Sequence, residues 1–230
     1  MGELTAGRGV VIGAACWIAA LHNVVVEFLV AAAWPTPYSF ARNMISDLGN
    51  TACGPFPQIG GSTLHVCSPL HGLMNGSFVV YGLLVVAGAV LTRRAWPATR
   101  PATAGLGLLA LGGAGVIAVG LVPENVNLVL HSIPALVGFV AQNAAMVVLG
   151  VATARSVSWL SRFSVACGVA GLAATVLLLT GVHLGLGPGG MERVAANPLT
   201  LWLLVAGLWL LLRRGYAAGK PTALAASASK

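Results

Sequence analysis

The chain has 230 residues, of which 57% are hydrophobic, 30 are glycine and only 7% are Asp, Glu, Lys or Arg. A soluble domain carries about 25% charged residues, so this composition excludes an ordinary cytosolic enzyme, a disordered chain and a fibrous repeat; lipid must solvate most of the surface. The net charge of +7 does not signal a nucleic-acid partner, because the basic residues are scattered in short segments between apolar runs, with no stripe interleaved with aromatics.

Runs of about eighteen or more apolar residues mark membrane-spanning helices, and six are predicted. The first covers residues 9–34. A secretory signal has a shorter apolar region of about 7–15 residues, and this run also contains His22, Asn23 and Glu27, so it is read as a retained helix. The outer segment 35–68 follows, then spans over 69–91, 103–122, 128–154 and 159–186. The sixth covers 198–212 and is short for a bilayer of about 30 Å, so a start near Val194 is allowed. The expected fold is all-α: a polytopic bundle of six transmembrane helices forming one domain over 1–214, with a flexible cytoplasmic tail over 215–230.

Lys and Arg set the expected orientation. Arg8, Arg93, Arg94, Arg100, Arg155, Arg162, Arg213, Arg214, Lys220 and Lys230 fall on the side of the termini, and only Arg42 and Arg193 on the other. Positive residues favour the cytoplasm, so both termini are predicted there. Segment 35–68 then faces an oxidising compartment. It holds Cys53 and Cys67, the only cysteines outside the spans, which are expected to form a disulfide. Cys16 and Cys167 read as packing residues.

With the sides fixed, all five histidines and four of the five acidic residues lie in the outer half or outer loops. Positive-inside bias alone accounts for Glu192 and His65. It does not account for Glu27, about two turns inside the end of the first span, where an ionisable group costs up to about 2.5–3.5 kcal/mol. Glu27 therefore needs a partner, either in a functional site or in a structural pair with Arg42 or a histidine. Asn23 shares its helical face. In the second span His71 and Asn75 lie one turn apart, with Phe78 continuing the stripe; in the fourth, His131 and Gln142 share a side.

The segment over 38–81 contains Asn43-Met44-Ile45-Ser46-Asp47-Leu48-Gly49-Asn50, then Val66-Cys67-Ser68-Pro69 and Met74-Asn75. This pattern resembles the domain of unknown function 998 family of bacterial and archaeal polytopic membrane proteins. The resemblance implies the fold and a multi-pass place in the bacterial plasma membrane; it implies no reaction. Asp47 reads either as a local cap of backbone N–H groups or as a carboxylate over the mouth of the bundle, with Arg42 as counter-ion.

The functional expectation is an integral membrane enzyme acting on a lipid or isoprenoid-like substrate. A carboxyl group in apolar surroundings keeps its proton to higher pH and serves as a general acid, as in proton-initiated cyclisation or isomerisation. Glu27 or Asp47 is the expected acid, with His71 or His131 as its partner, and the four are expected to converge on one cavity. Trp17, Asn23, Tyr38, Asn43, Asn75 and Phe78 are the expected substrate contacts. No cofactor is called for, and the expected partners are membrane lipid and a hydrophobic small molecule. Three alternatives stay open: a hydrolase with a metal on His71, His131 and His183, a transporter, and a non-catalytic membrane partner.

Overall fold

The computed structural model describes residues 2–58 and 61–218. It is an all-α bundle with six helical spans of 22 to 27 residues, each apolar and long enough to cross a membrane. At about 1.5 Å per residue each reaches across a hydrocarbon core of about 30 Å, and the chain is a multi-pass membrane protein.

The first span is built from α1 (Gly2–Ala19) and α2 (His22–Ala32). Between them the backbone tightens: Leu21, Asn23 and Val24 donate three residues back instead of four. The His22 ring bonds the Ala19 carbonyl at 3.0 Å, so a side chain entering the ladder marks the break. The other spans are α3 (His71–Thr92), α4 (Arg100–Leu121), α5 (Leu128–Thr153), α6 (Ser158–Leu179) and α7 (Gly187–Ala218).

From α3 onward each helix packs on the next, and α7 returns to α1, closing a ring that α5 and α7 also bridge. Gly82 of α3 and Gly113 of α4 face each other, and a Cβ on either would strike the other's carbonyl; the small residues allow this close crossing. The outward faces carry exposed Val, Leu and Phe side chains such as Phe28, Val90, Leu121 and Val151, as a lipid-facing surface requires. Trp17 and Trp202 are fully buried and pack with Trp96 toward the end of the bundle that carries Arg93 and Arg94.

Two spans differ from expectation. The sixth begins at Gly187, well before Pro198 and before Val194. Gly-rich and charged residues hid its first turns, although Pro188 is well suited to a helix start. The fifth ends at Leu179; Gly181, Gly185 and Gly187 take positive φ, which only glycine adopts without cost, and the apolar residues between them had lengthened the predicted run. Helix α7 continues through residues 215–218, so the expected flexible tail is helical there; its remainder, 219–230, lies outside the described residues.

Segment 35–68 contains a hairpin of β1 (Gly54–Pro57) and β2 (Thr63–Val66), antiparallel, with Gly54 opposite Val66. Cys53 and Cys67 flank that pair and are disulfide-bonded, their Cα atoms 4.2 Å apart. A bridge closing so short a loop stabilises by about 3 kcal/mol through lost chain entropy. A Cys53→Ser/Cys67→Ser variant is expected to lose about that much in thermal or denaturant unfolding; an unchanged midpoint would show that the hairpin does not need the bridge.

Candidate functional site

The motif loop is organised around Asp47, which has no exposed surface. Its Oδ2 accepts hydrogen bonds from Asn43 Nδ2 at 3.1 Å and Met44 N at 3.0 Å, and its Oδ1 accepts one from Gln58 Nε2 at 3.0 Å. One carboxylate thus ties the 3-10 turn Ser46–Gly49 to the loop before it and to the hairpin. The turn is seated on α3: Asn75 Nδ2 donates to the Gly49 carbonyl at 2.8 Å and Ser68 Oγ to the Leu48 carbonyl at 2.7 Å. Arg42 is exposed and is not a counter-ion of Asp47.

Arg193, in the second turn of α7, anchors the same loop from the other side. Its Nε donates to Glu27 Oε1 at 2.7 Å, the one Lys/Arg–carboxylate pair among the described residues. Its Nη1 donates to the carbonyls of Phe40, Asn43 and Gly189, each at 2.9 Å, and its Nη2 to the Tyr38 hydroxyl at 2.6 Å. The guanidinium also lies over the Phe40 ring, 4.9 Å from its centre. Tyr38 in turn donates to the Met44 carbonyl at 2.8 Å, and burial raises its titration well above the ordinary phenol value. The backbone closes the joint, with Gly189 N and Gly190 N donating to the Ala41 carbonyl; a side chain at Gly189 would meet the Asn43 carbonyl. Glu27 is therefore half of a structural pair, and its partner is Arg193, neither Arg42 nor a histidine.

Between this loop and the helices, in the half of the bundle that carries the motif loop, lie two adjoining cavities of about 350 and 80 Å³. Both are lined by Ser46, His131, Ala135, Phe139 and Glu192. The larger adds Gln58, Glu124 and an apolar wall of Leu128, Leu136, Leu178 and Leu179; the smaller adds Asn23, Phe78, Gln142, Asn197 and Thr200. Glu192 accepts a hydrogen bond from Ile45 N, which fixes it to the motif. His131 is 5% exposed, and its Nδ1 lies 2.8 Å from the Val122 carbonyl. A carbonyl can only accept, so Nδ1 carries a proton in this arrangement.

Glu124, in the loop between α4 and α5, is 7% exposed, and its Oε1 has no hydrogen-bond partner among the described residues. Burial pushes its carboxyl well above the ordinary glutamate range, and the neighbouring Asp47 pushes it further, with Ser46 opposing. Two carboxyl groups this close do not both ionise readily, so Glu124 retains a proton at pH values where an exposed glutamate has lost it.

Of the four expected catalytic residues, the structure brings His131 to the cavity wall and places Asp47 directly behind it, against Glu124 and Gln58. Glu27 and His71 do not line it. The His71 ring bonds the Ser68 carbonyl at 2.9 Å and closes the first turn of α3. Of the expected substrate contacts, Asn23 and Phe78 line the smaller cavity. Tyr38, Asn43 and Asn75 hold the motif loop, and Trp17 is core, donating to the Val85 carbonyl at 3.2 Å. No group of three or more His, Cys, Asp or Glu side chains among the described residues is placed to hold a metal ion, so His71, His131 and His183 do not form the three-histidine site weighed from the sequence. Two further carboxyl groups line the cavity, Glu124 and Glu192, both expected from the sequence to lie in outer loops.

No curated protein and no solved structure matches the chain. The model of a family described as "Protein of unknown function (DUF998)" matches residues 11–209, and the chain belongs to that family.

Proposed function

We propose that the protein is an integral membrane enzyme that performs acid–base chemistry on a lipid or isoprenoid-like molecule in its outer-half cavity. The observation that supports this is Glu124, a buried carboxyl group beside Asp47 on the wall of a largely apolar cavity shared with His131 and Glu192. Glu124 is the general acid, delivering its proton to an alkene, epoxide or ester oxygen of the bound molecule. His131 Nε2 or Glu192 takes a proton from another position. One proton enters and one leaves, so the net reaction is an isomerisation or cyclisation that needs no co-substrate. Trp17, Trp96 and Trp202 fill the opposite half of the bundle, which argues against a transport path through it.

We place the protein in the bacterial plasma membrane with both termini in the cytoplasm, on the ten-to-two distribution of Lys and Arg. A cysteine introduced after Arg213 is then expected to resist impermeant thiol reagents in intact cells, and labelling from outside would contradict that orientation. The activity is tested by incubating purified protein with lipid extract from its host membrane and following the lipids by mass spectrometry. A product of unchanged mass and altered retention, absent with Glu124→Gln, supports the reading. No lipid change dependent on Glu124 contradicts it.

A further inference from the structure

The polar end of the larger cavity is one-sided in its chemistry. Glu124 and Glu192 line it, Asp47 stands behind it, and among the described residues no Lys or Arg lines either cavity. Arg193, next to Glu192 in the chain, is committed to Glu27 and to three backbone carbonyls. Two acceptors on this wall lack donors. Gln58 gives its Nε2 to Asp47, and among the described residues neither its Oε1 nor Glu124 Oε1 has a partner. Both side chains are only 7% exposed, so water does little to satisfy them. Unmet buried acceptors are costly, and a ligand bringing donors removes the cost. The opposite wall, with Leu128, Leu136, Phe139, Leu178 and Leu179, suits a hydrocarbon chain.

We infer that the cavity takes an amphiphile whose head group donates hydrogen bonds, an ammonium in preference to a hydroxyl, and that it rejects phosphate and carboxylate head groups. An anionic head would meet Glu192 on the wall and Asp47 behind it at close range in a medium of low dielectric, where repulsion is strong, and would leave Gln58 Oε1 unpaired. An ammonium reverses both effects and offers three donors. This assignment rests on the cavity being the lipid-binding site of the proposed enzyme, and it narrows the substrate class to amine- or alcohol-headed lipids.

The test uses the full chain in neutral detergent with four probes: decylamine, decanol, decyl phosphate and tailless methylamine. Thermal midpoints of the wild type are compared with those of Ala135→Trp, which fills the space common to both cavities. Decylamine is expected to raise the wild-type midpoint most and decanol less, while decyl phosphate and methylamine leave it unchanged. Binding of the amine is expected to exceed that of the phosphate by about tenfold or more, and Glu124→Gln to reduce that preference. Equal or reversed order, or the same rise in Ala135→Trp, overturns the inference. Should Ala135→Trp fail to fold, competition between decylamine and decyl phosphate on the wild type, read by native mass spectrometry, decides the order. Lipid turnover without amine preference would sink this inference and leave the proposed activity standing. Amine preference without turnover would do the reverse.

Discussion

Replacing Glu124 by Gln is expected to reduce lipid turnover by about 10²–10⁴-fold, the usual contribution of a positioned general acid, while the protein stays folded. Gln matches Glu in shape and keeps a donor toward Asp47, but it has no proton to give. The same variant has a stability signature. The folded-state carboxyl of Glu124 is raised above its ordinary value of 4.5, so the folded protein binds a proton the unfolded chain releases. The stabilisation is fully present below pH 4.5 and is lost as pH rises through the folded-state value. Asp47, Ser46 and Glu192 are the neighbours that set that value. Unfolding midpoints of the wild type should therefore fall across this window, and those of Glu124→Gln should fall less. Parallel profiles would place the titrating group elsewhere.

Arg193→Met is expected to destabilise the protein by about 3–5 kcal/mol, the cost of breaking a buried ion pair by removing one partner. The Glu27 carboxylate, its side chain 4% exposed, would be left unpaired, and the carbonyls of Phe40, Asn43 and Gly189 would each lose a donor. Arg193→Lys should fall between, since an ammonium keeps the charge but lacks the planar fork that reaches five partners. Unfolding of detergent-solubilised variants checks both. A near-neutral Arg193→Met would mean that the loop is held by Asp47 and the disulfide alone. Glu27→Gln is a second probe of the joint, since it spares the cavity wall: its loss should appear in stability before turnover.

The bundle was legible because lipid imposes a simple rule: about twenty apolar residues per crossing and few charges. The Cys53–Cys67 bridge was legible too, as two cysteines alone in an outer segment. The site was only half legible. The sequence marks Glu27 as a charge in need of a partner, which the structure supplies in Arg193, and places Asp47 and His131 near the mouth of the bundle. The partner was missed because Glu192 and Arg193 follow a Gly-Pro-Gly-Gly run that reads as loop. Nothing in local hydropathy shows that α7 already starts at Gly187, which swings Arg193 against Glu27 from 166 residues away. Glu124 was hidden for a similar reason. Its depth comes from the hairpin and the motif turn folding over it, and no periodicity in its own segment reports that cover.

Infrared difference spectroscopy of the purified protein tests the central claim most directly, because it needs no substrate. The carbonyl stretch of a protonated carboxylic acid is separate from that of a carboxylate, and it counts the acids that keep their protons. Above the ordinary glutamate range the wild type is expected to show a protonated carboxyl band that weakens in Glu124→Gln and disappears as the pH is raised further. Spectra of wild type and Glu124→Gln that coincide at every pH would show that Glu124 is an ordinary ionised side chain, and the cavity would then hold no acid at that position to drive the proposed chemistry.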